Sequence, residues 1–180
     1  MDFLSKEHIC QIEKLESLWN NLRGLSDMAT EFGINDIFQD NGAKIMQQLI
    51  YLNFQNLPGR EGNDAIDKNG VEWEMKSINT ATSAQGFSTN HHLNHVILAK
   101  YRKVPWSFSI YKGIELLDMY VMPPIILEPI FQKWETKLET QAHINNPKIP
   151  VKFVRENGTQ VYPLDYQNPM SPCTITNDFL

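Results

Sequence analysis

The chain has 180 residues, of which 42% are hydrophobic and 21% charged, a size and balance that predict one soluble globular domain. No stretch approaches the roughly 18 apolar residues of a membrane span, and residues 1–18 lack a secretory signal pattern, so a cytoplasmic protein with no membrane partner is expected. Cys10 and Cys173 have no metal-ligand spacing, and the net charge of −5 taken alone argues against a nucleic-acid partner.

The first quarter of the chain predicts two helices. Apolar residues recur at helical spacing from Ser5, a candidate N-cap, to Gly33, a candidate stop, and Gly24 could divide this stretch into two helices. A second helix follows a cap at Asp40 or Asn41, and residues 57–59 then break into a loop.

A strand is predicted from Val71 to Ile78, after a turn at residues 68–70, because apolar and polar residues alternate there. Residues two apart on a strand share a face, so Glu74 and Lys76 are expected to project together. Residues 79–90 are polar and small, which is typical of a loop.

The second half predicts a hairpin followed by a helix. Residues 95–101 are ambiguous between strand and helix, residues 106–122 form two apolar runs around Lys112-Gly113, and residues 125–141 are predicted as a helix. Residues beyond Tyr162 are expected to form a loose tail. The predicted fold class is α/β in the broad sense, a mixed α+β arrangement of a strand set with helices on either side.

Asp64 lies ten positions before Glu74-Met75-Lys76, and this spacing suggests metal-assisted phosphodiester hydrolysis. Mg²⁺ takes one or two carboxylates together with waters and phosphate oxygens, which Asp64 and Glu74 match. The Met75 carbonyl could add a ligand, Glu61 could help to hold a second ion, and Lys76 could orient or deprotonate the attacking water. Acid–any–lysine taken alone is more often a salt-bridged strand face, and the upstream Asp64 at this spacing raises the nuclease interpretation.

The charge distribution favours a polyanionic partner. Residues 1–75 carry 13 acids and 6 Lys/Arg. In contrast, two later segments, residues 76–114 and residues 141–155, contain basic residues but no Asp or Glu. His91-His92 could donate to guanine, and Asn145-Asn146 offers the amide groups that read adenine, although a turn before Pro147 also explains the asparagines. Zinc binding is a weaker reading of the histidines because no further ligands lie near.

Several sequence blocks resemble type IIP restriction endonucleases of the PvuII family, within the PD-(D/E)xK nuclease superfamily. The blocks are GINDIFQDNG at 33–42, LPGREGNDA at 57–65, KSIN at 76–79, GFST at 86–89, AKYR at 99–102, VPW at 104–106 and INNPKIPVK at 144–152. The resemblance implies a restriction-endonuclease-like core, with a mixed, mostly antiparallel sheet flanked by helices.

The resemblance also implies a function and a set of residue roles. The enzyme would be a homodimer that cuts both strands of duplex DNA bluntly at the centre of CAGCTG with Mg²⁺, for which Mn²⁺ should substitute, and a cognate methyltransferase would act on the same site in the host. The implied catalytic residues are Asp64, Glu74, Lys76, Glu61 and Tyr101; the implied DNA-binding residues are His91, His92, Ser88, Asn145, Asn146 and Asp40.

The expected organisation is a single restriction endonuclease domain over residues 1–180. Its helical part at about 1–40 would carry dimer contacts, although a core helix is the simpler reading of the amphipathic pattern. Catalysis and DNA recognition would lie at about 41–162, followed by a tail at about 163–180. Two rival functions stay open: a structure-directed or repair nuclease on the same core, and a DNA-binding regulator without catalysis.

Overall fold

The computed structural model describes residues 5–31, 42–57 and 63–163. The helices in these ranges are α1 (Lys6–Glu31), α2 (Gly42–Leu52), α3 (His95–Tyr101), α4 (Pro124–Leu138) and α5 (Val151–Asn157). The strands are β1 (Gln55–Asn56), β2 (Ala65–Ile66), β3 (Glu72–Asn79), β4 (Gly86–Ser88), β5 (Trp106–Lys112), β6 (Glu115–Met122), β7 (Lys148–Pro150) and β8 (Thr159–Tyr162).

The main sheet has the strand order β1-β2-β3-β5-β6-β8. Among the strands of the described ranges, β3 and β5 run parallel and the other neighbouring pairs are antiparallel. The prediction of a mixed, mostly antiparallel sheet flanked by helices is therefore confirmed. A second, two-stranded sheet pairs β4 with β7.

Alternation along β5 divides the core into two layers. Trp106, Phe108 and Ile110 face one side, where they pack with buried residues of α3 and α4. Tyr111 faces the other side, where the buried face of α1, including Trp19, packs with α2 and β6. Burying each large apolar side chain contributes roughly 1.5–3 kcal/mol, so both layers hold the sheet firmly.

Helix α1 confirms the amphipathic pattern read from the sequence. Its N-terminus is capped by Ser5, whose Oγ accepts from the His8 N–H at 3.2 Å, and Trp19 donates from Nε1 to the Ile114 carbonyl at 3.3 Å. The helix runs through Gly24 without a break, so the chain is not divided there. The predicted stop at Gly33 and the caps at Asp40 or Asn41 lie outside the described residues.

The second half contains elements that the sequence did not predict. Strand β4 lies within the stretch expected to be a loop, and β7, α5 and β8 lie in a region for which no helix or strand was predicted. The ambiguous segment 95–101 is helix α3, capped by the Asn94 side chain, which accepts from the Val96 and Ile97 N–H groups at 3.0 Å each. The hairpin of β5 and β6 and helix α4 confirm their predictions.

In residues 5–31, 42–57 and 63–163, no helix combines the length and the apolar character needed to cross a membrane.

Candidate active site

The hairpin that joins β2 to β3 is held together by Asp67. Its carboxylate is buried and accepts from the backbone N–H groups of Asn69 at 2.8 Å and Val71 at 3.0 Å, and from the indole N–H of Trp73 at 3.3 Å. Gly70 completes the turn with a φ of 80°, a conformation that glycine adopts without strain. This network sets the register of Ala65 opposite Trp73.

Asp64 lies directly before β2 and is anchored to the edge of β3. Its N–H donates to the Trp73 carbonyl at 3.0 Å, and its Oδ2 accepts from the Met75 N–H at 2.8 Å. Strand β2 pairs with β3 only at Trp73 and Glu72, so it leaves the edge open at Met75. The Asp64 carboxylate occupies this edge in place of a neighbouring strand.

Glu74 and Lys76 project from the same face of β3, as the alternation predicted. The Lys76 ammonium forms an ion pair with the Glu74 carboxylate and lies 3.7 Å from Asp64 Oδ2. Its Nζ is also 5.9 Å from the centre of the Trp106 ring. Two carboxylates and one ammonium group therefore converge at a single point beside the open edge.

The electrostatics of this point are dominated by the burial of Glu74, which is only 6% exposed. Burial raises the pKa of its carboxyl group, Lys76 opposes this, and the charge of Asp64 raises the pKa further. A buried carboxylate with a second carboxylate nearby has a strong demand for positive charge. The Lys76 ammonium meets part of that demand.

Tyr101, the last residue of α3, feels the charges of both carboxylates. Burial raises the pKa of its phenol, and the negative charges of Glu74 and Asp64 raise it further, while a hydrogen bond with the Asn90 backbone acts in the opposite direction. The phenol therefore stays protonated near neutral pH. It can offer an O–H donor beside the acidic pair, which is consistent with a supporting role.

The donor set fits a hard divalent cation, because two carboxylates already converge on one cationic group. The Met75 N–H points toward Asp64, and the carbonyl of the same residue points to that same side of an extended strand. Carboxylate and carbonyl oxygens are the ligands that Mg²⁺ and Ca²⁺ prefer. Within the described residues no group of three or more His, Cys, Asp or Glu could hold a metal, and Glu61, the predicted additional acid, lies outside them.

The residues predicted to read bases come together in a second region, formed by residues 86–93 and 144–150. Strand β4 pairs with β7 so that Ser88 lies opposite Lys148, and Leu93 forms a bridge with Ile144. The Asn146 N–H donates to the His91 carbonyl at 3.3 Å. This β4–β7 unit thus places Ser88, His91 and His92 alongside Asn145 and Asn146, although the two segments are more than fifty residues apart.

The side chains of the β4–β7 unit differ in what they can offer to a ligand. Ser88, His91, His92 and Asn145 are exposed. Asn146 has a φ of 49°, and its amide oxygen is buried with no hydrogen-bond partner among the described residues. The side chain must therefore rotate before both ends of its amide can contact one base.

Sequence reasoning missed two residues that shape these sites. Asp67 was not singled out, although an acid two residues before Asn-Gly is a typical turn signal. His143 lies in the acid-free segment 141–155 and was given no individual role. The centre of its ring lies 5.0 Å from that of His92, with an interplanar angle of 83°. Asp40, the predicted minor-groove residue, lies outside the described residues.

The chain is similar to one known protein family over most of its length. The family model described as restriction endonuclease PvuII matches residues 10–162, which is most of the chain. The matched range includes the acidic pair with Lys76 and the whole β4–β7 unit.

Proposed function

This chain belongs to the restriction endonuclease PvuII family, and we propose that it is a Mg²⁺-dependent homodimer that cuts both strands of CAGCTG bluntly at its centre. Family membership makes it a type II restriction endonuclease, a site-specific deoxyribonuclease that acts on double-stranded DNA. The observation that best supports the detailed proposal is the Lys76 ammonium between the carboxylates of Asp64 and Glu74.

The proposed metal ligands are the carboxylates of Asp64 and Glu74 and the Met75 carbonyl, with Glu61 as a further acid. When bound, Mg²⁺, or Mn²⁺ in its place, neutralises charge on the scissile phosphate and makes a bound water easier to deprotonate. Burial of Glu74 excludes water from one side of the site and strengthens the attraction of its carboxylate for a cation.

Lys76 is proposed to hold the attacking water. Its Nζ lies beside the carboxylates of Asp64 and Glu74, where it can donate a hydrogen bond to a water and orient that water toward the phosphate. The water oxygen would form the new bond to phosphorus as the bond to the leaving sugar oxygen breaks, with the water losing a proton to solvent and the sugar oxygen taking a proton from solvent. Tyr101 supports the site with its phenolic O–H, and Glu74 holds the lysine in position.

The β4–β7 unit is proposed to read the major groove. Exposed imidazoles of His91 and His92 can donate to guanine, Ser88 can contact either base type, and the amides of Asn145-Asn146 suit adenine, each good bidentate contact contributing about 1–3 kcal/mol of discrimination. Asp40 is proposed to lie near the minor groove. Two copies related by a two-fold axis would each read one half of a palindrome.

The dimer contacts are proposed to involve the N-terminal helical part, residues 1–40. Helix α1 buries one face in the core and leaves Leu18 more than half exposed on another, so it can serve as a core helix and still offer an outer contact surface. A cytoplasmic location and a host methyltransferase that modifies the same hexamer complete the proposal.

One digestion distinguishes this proposal from its rivals. A plasmid of known sequence is incubated with the enzyme and Mg²⁺, with a chelator in a parallel reaction, and the ends are sequenced. Blunt ends at the centre of every CAGCTG, and none with chelator, are expected. Cuts at another hexamer would overturn the target, scattered cuts would favour a repair or structure-directed nuclease, and binding without cuts would favour a regulator.

A further inference from the structure

We propose that His143 is a positioning residue for DNA recognition, which holds the imidazole of His92 in the orientation that reads its base. The rings of the two residues meet edge to face, with centres 5.0 Å apart and planes at 83°. This inference rests on the proposed base-reading role of His92 and assigns His143 a role that acts through it.

The backbone around His92 is fixed before its side chain is considered. Leu93 is fully buried, and it exchanges backbone hydrogen bonds with Ile144 at 3.1 and 2.8 Å. The His92 N–H donates to the Asn90 side chain at 2.8 Å. The backbone of His92 is therefore fixed by these hydrogen bonds, whereas its ring projects from an exposed turn.

The Leu93–Ile144 bridge explains why His143 reaches this ring. His143 directly precedes Ile144, and His92 directly precedes Leu93, so the two histidines take diagonal positions across an antiparallel bridge. Diagonal neighbours on two antiparallel strands are about 7–8 Å apart, and aromatic side chains can span this separation. His143 is thus placed by the same contacts that place His92.

An edge-to-face contact restricts the ring of His92 before DNA arrives. If the His92 ring is already oriented, it loses less side-chain entropy when DNA binds. The resulting increase in affinity applies only to DNA that carries the base contacted by His92. Removing the His143 ring should therefore lower cleavage of the cognate site more than cleavage of altered sites. We expect a loss of about three- to tenfold per subunit, the range that aromatic ring pairs support.

The test measures kcat/KM for the cognate hexamer and for hexamers with one base changed, in the full-length enzyme with Mg²⁺. His143→Ala should lower kcat/KM and discrimination at the cognate site while kcat at saturating DNA and the unfolding midpoint stay unchanged. His143→Phe, which keeps a ring edge, should restore discrimination to within about twofold. His95→Ala serves as the matched control, because His95 is an exposed histidine on α3 and should have no effect on discrimination.

A double-mutant cycle separates the possible failures. His92→Ala with His143→Ala should be no worse than His92→Ala alone if His143 acts through His92. If His92→Ala lowers discrimination and His143→Ala does not, the positioning role is wrong and base reading by His92 stands. If His92→Ala leaves discrimination intact, the base-reading proposal itself is wrong. If His143→Phe is as poor as His143→Ala, His143 contacts DNA directly and the positioning role is overturned.

Discussion

The carboxylate of Asp64 accepts a hydrogen bond from the backbone N–H of Met75 at 2.8 Å. Met75 is the residue between Glu74 and Lys76, so this bond attaches Asp64, which precedes β2, to the centre of the proposed catalytic motif on β3. It occurs where β2 has ended and the edge of β3 is open. The spacing of ten residues between Asp64 and Glu74 is therefore set by the length of the hairpin that joins β2 to β3.

Lys76→Ala is expected to abolish most cleavage and to preserve DNA binding. The substitution removes the group proposed to hold the water and takes away the ammonium partner that Asp64 and Glu74 share. General acid–base groups contribute roughly 10²–10⁴ in rate. Cleavage of a labelled duplex and a gel shift on the same duplex measure the two effects. Lys133→Ala, an exposed lysine on α4, is the matched control and should cut normally. Unchanged cutting by Lys76→Ala would contradict the catalytic assignment.

Asp67→Ala is expected to weaken both the fold and the reaction. The change removes the acceptor that Asp67 provides to the N–H groups of Asn69 and Val71 and to the Trp73 indole, and we expect a loss of about 2–4 kcal/mol in the free energy of unfolding. Urea unfolding measures the stability, and the cleavage rate of the folded fraction reports on the placement of Asp64. Lys68→Ala, an exposed change in the same turn, should stay within about 0.5 kcal/mol of the parent.

A more conservative change at the same position tests the mechanism. Asp67→Asn keeps one oxygen for the N–H groups of Asn69 and Val71, but its amide group opposes the Trp73 indole donor. The stability of Asp67→Asn should therefore fall between those of the parent and Asp67→Ala. Trp73→Phe should lower the free energy of unfolding less in the Asp67→Asn background than in the parent. Equal stability of Asp67→Asn and the parent would show that the indole bond contributes nothing.

The arrangement of Glu74 and Lys76 was predictable because its signals are local. Alternation along residues 71–78 identifies the shared face of Glu74 and Lys76, and the structure brings these groups together as expected. The hairpin of β5 and β6 is likewise defined by two apolar runs around Lys112-Gly113. In each case a period of two residues over a long enough segment determines the outcome.

The recognition part was less predictable because its contacts are remote in sequence. Strands β4 and β7 have three residues each, too few to show a period, and they pair across more than fifty residues. The contact between His92 and His143 and the buried amide oxygen of Asn146 depend on that pairing. The sequence blocks that resemble the family suggested candidate residues here, but not how they meet.

Two glycines should respond oppositely to the same substitution. Gly158→Ala would place a Cβ 2.8 Å from the Val154 carbonyl oxygen and 3.0 Å from the Tyr120 Cβ, and we expect a loss of about 1–3 kcal/mol from overpacking. Gly24→Ala meets nothing within 4 Å and lies inside α1, so it should gain about 0.4–1 kcal/mol. Urea unfolding of both variants checks the signs. A stabilising Gly158→Ala would show that the α5 terminus can move away from β6.

Glu74→Gln is expected to reveal that the charged carboxylate of Glu74 destabilises the fold near neutral pH. Burial raises the pKa of Glu74 above its ordinary 4.5, so the folded state binds this proton more tightly than the unfolded state. The stability due to the protonated form is complete below about pH 4.5 and is lost as the pH rises through the raised pKa. The stability of the parent relative to Glu74→Gln should therefore fall as the pH increases above 4.5. Urea unfolding of both proteins from pH 4 to 8, in the presence of a chelator, measures this difference, and a difference that rose with pH would show that the ion pair with Lys76 outweighs burial.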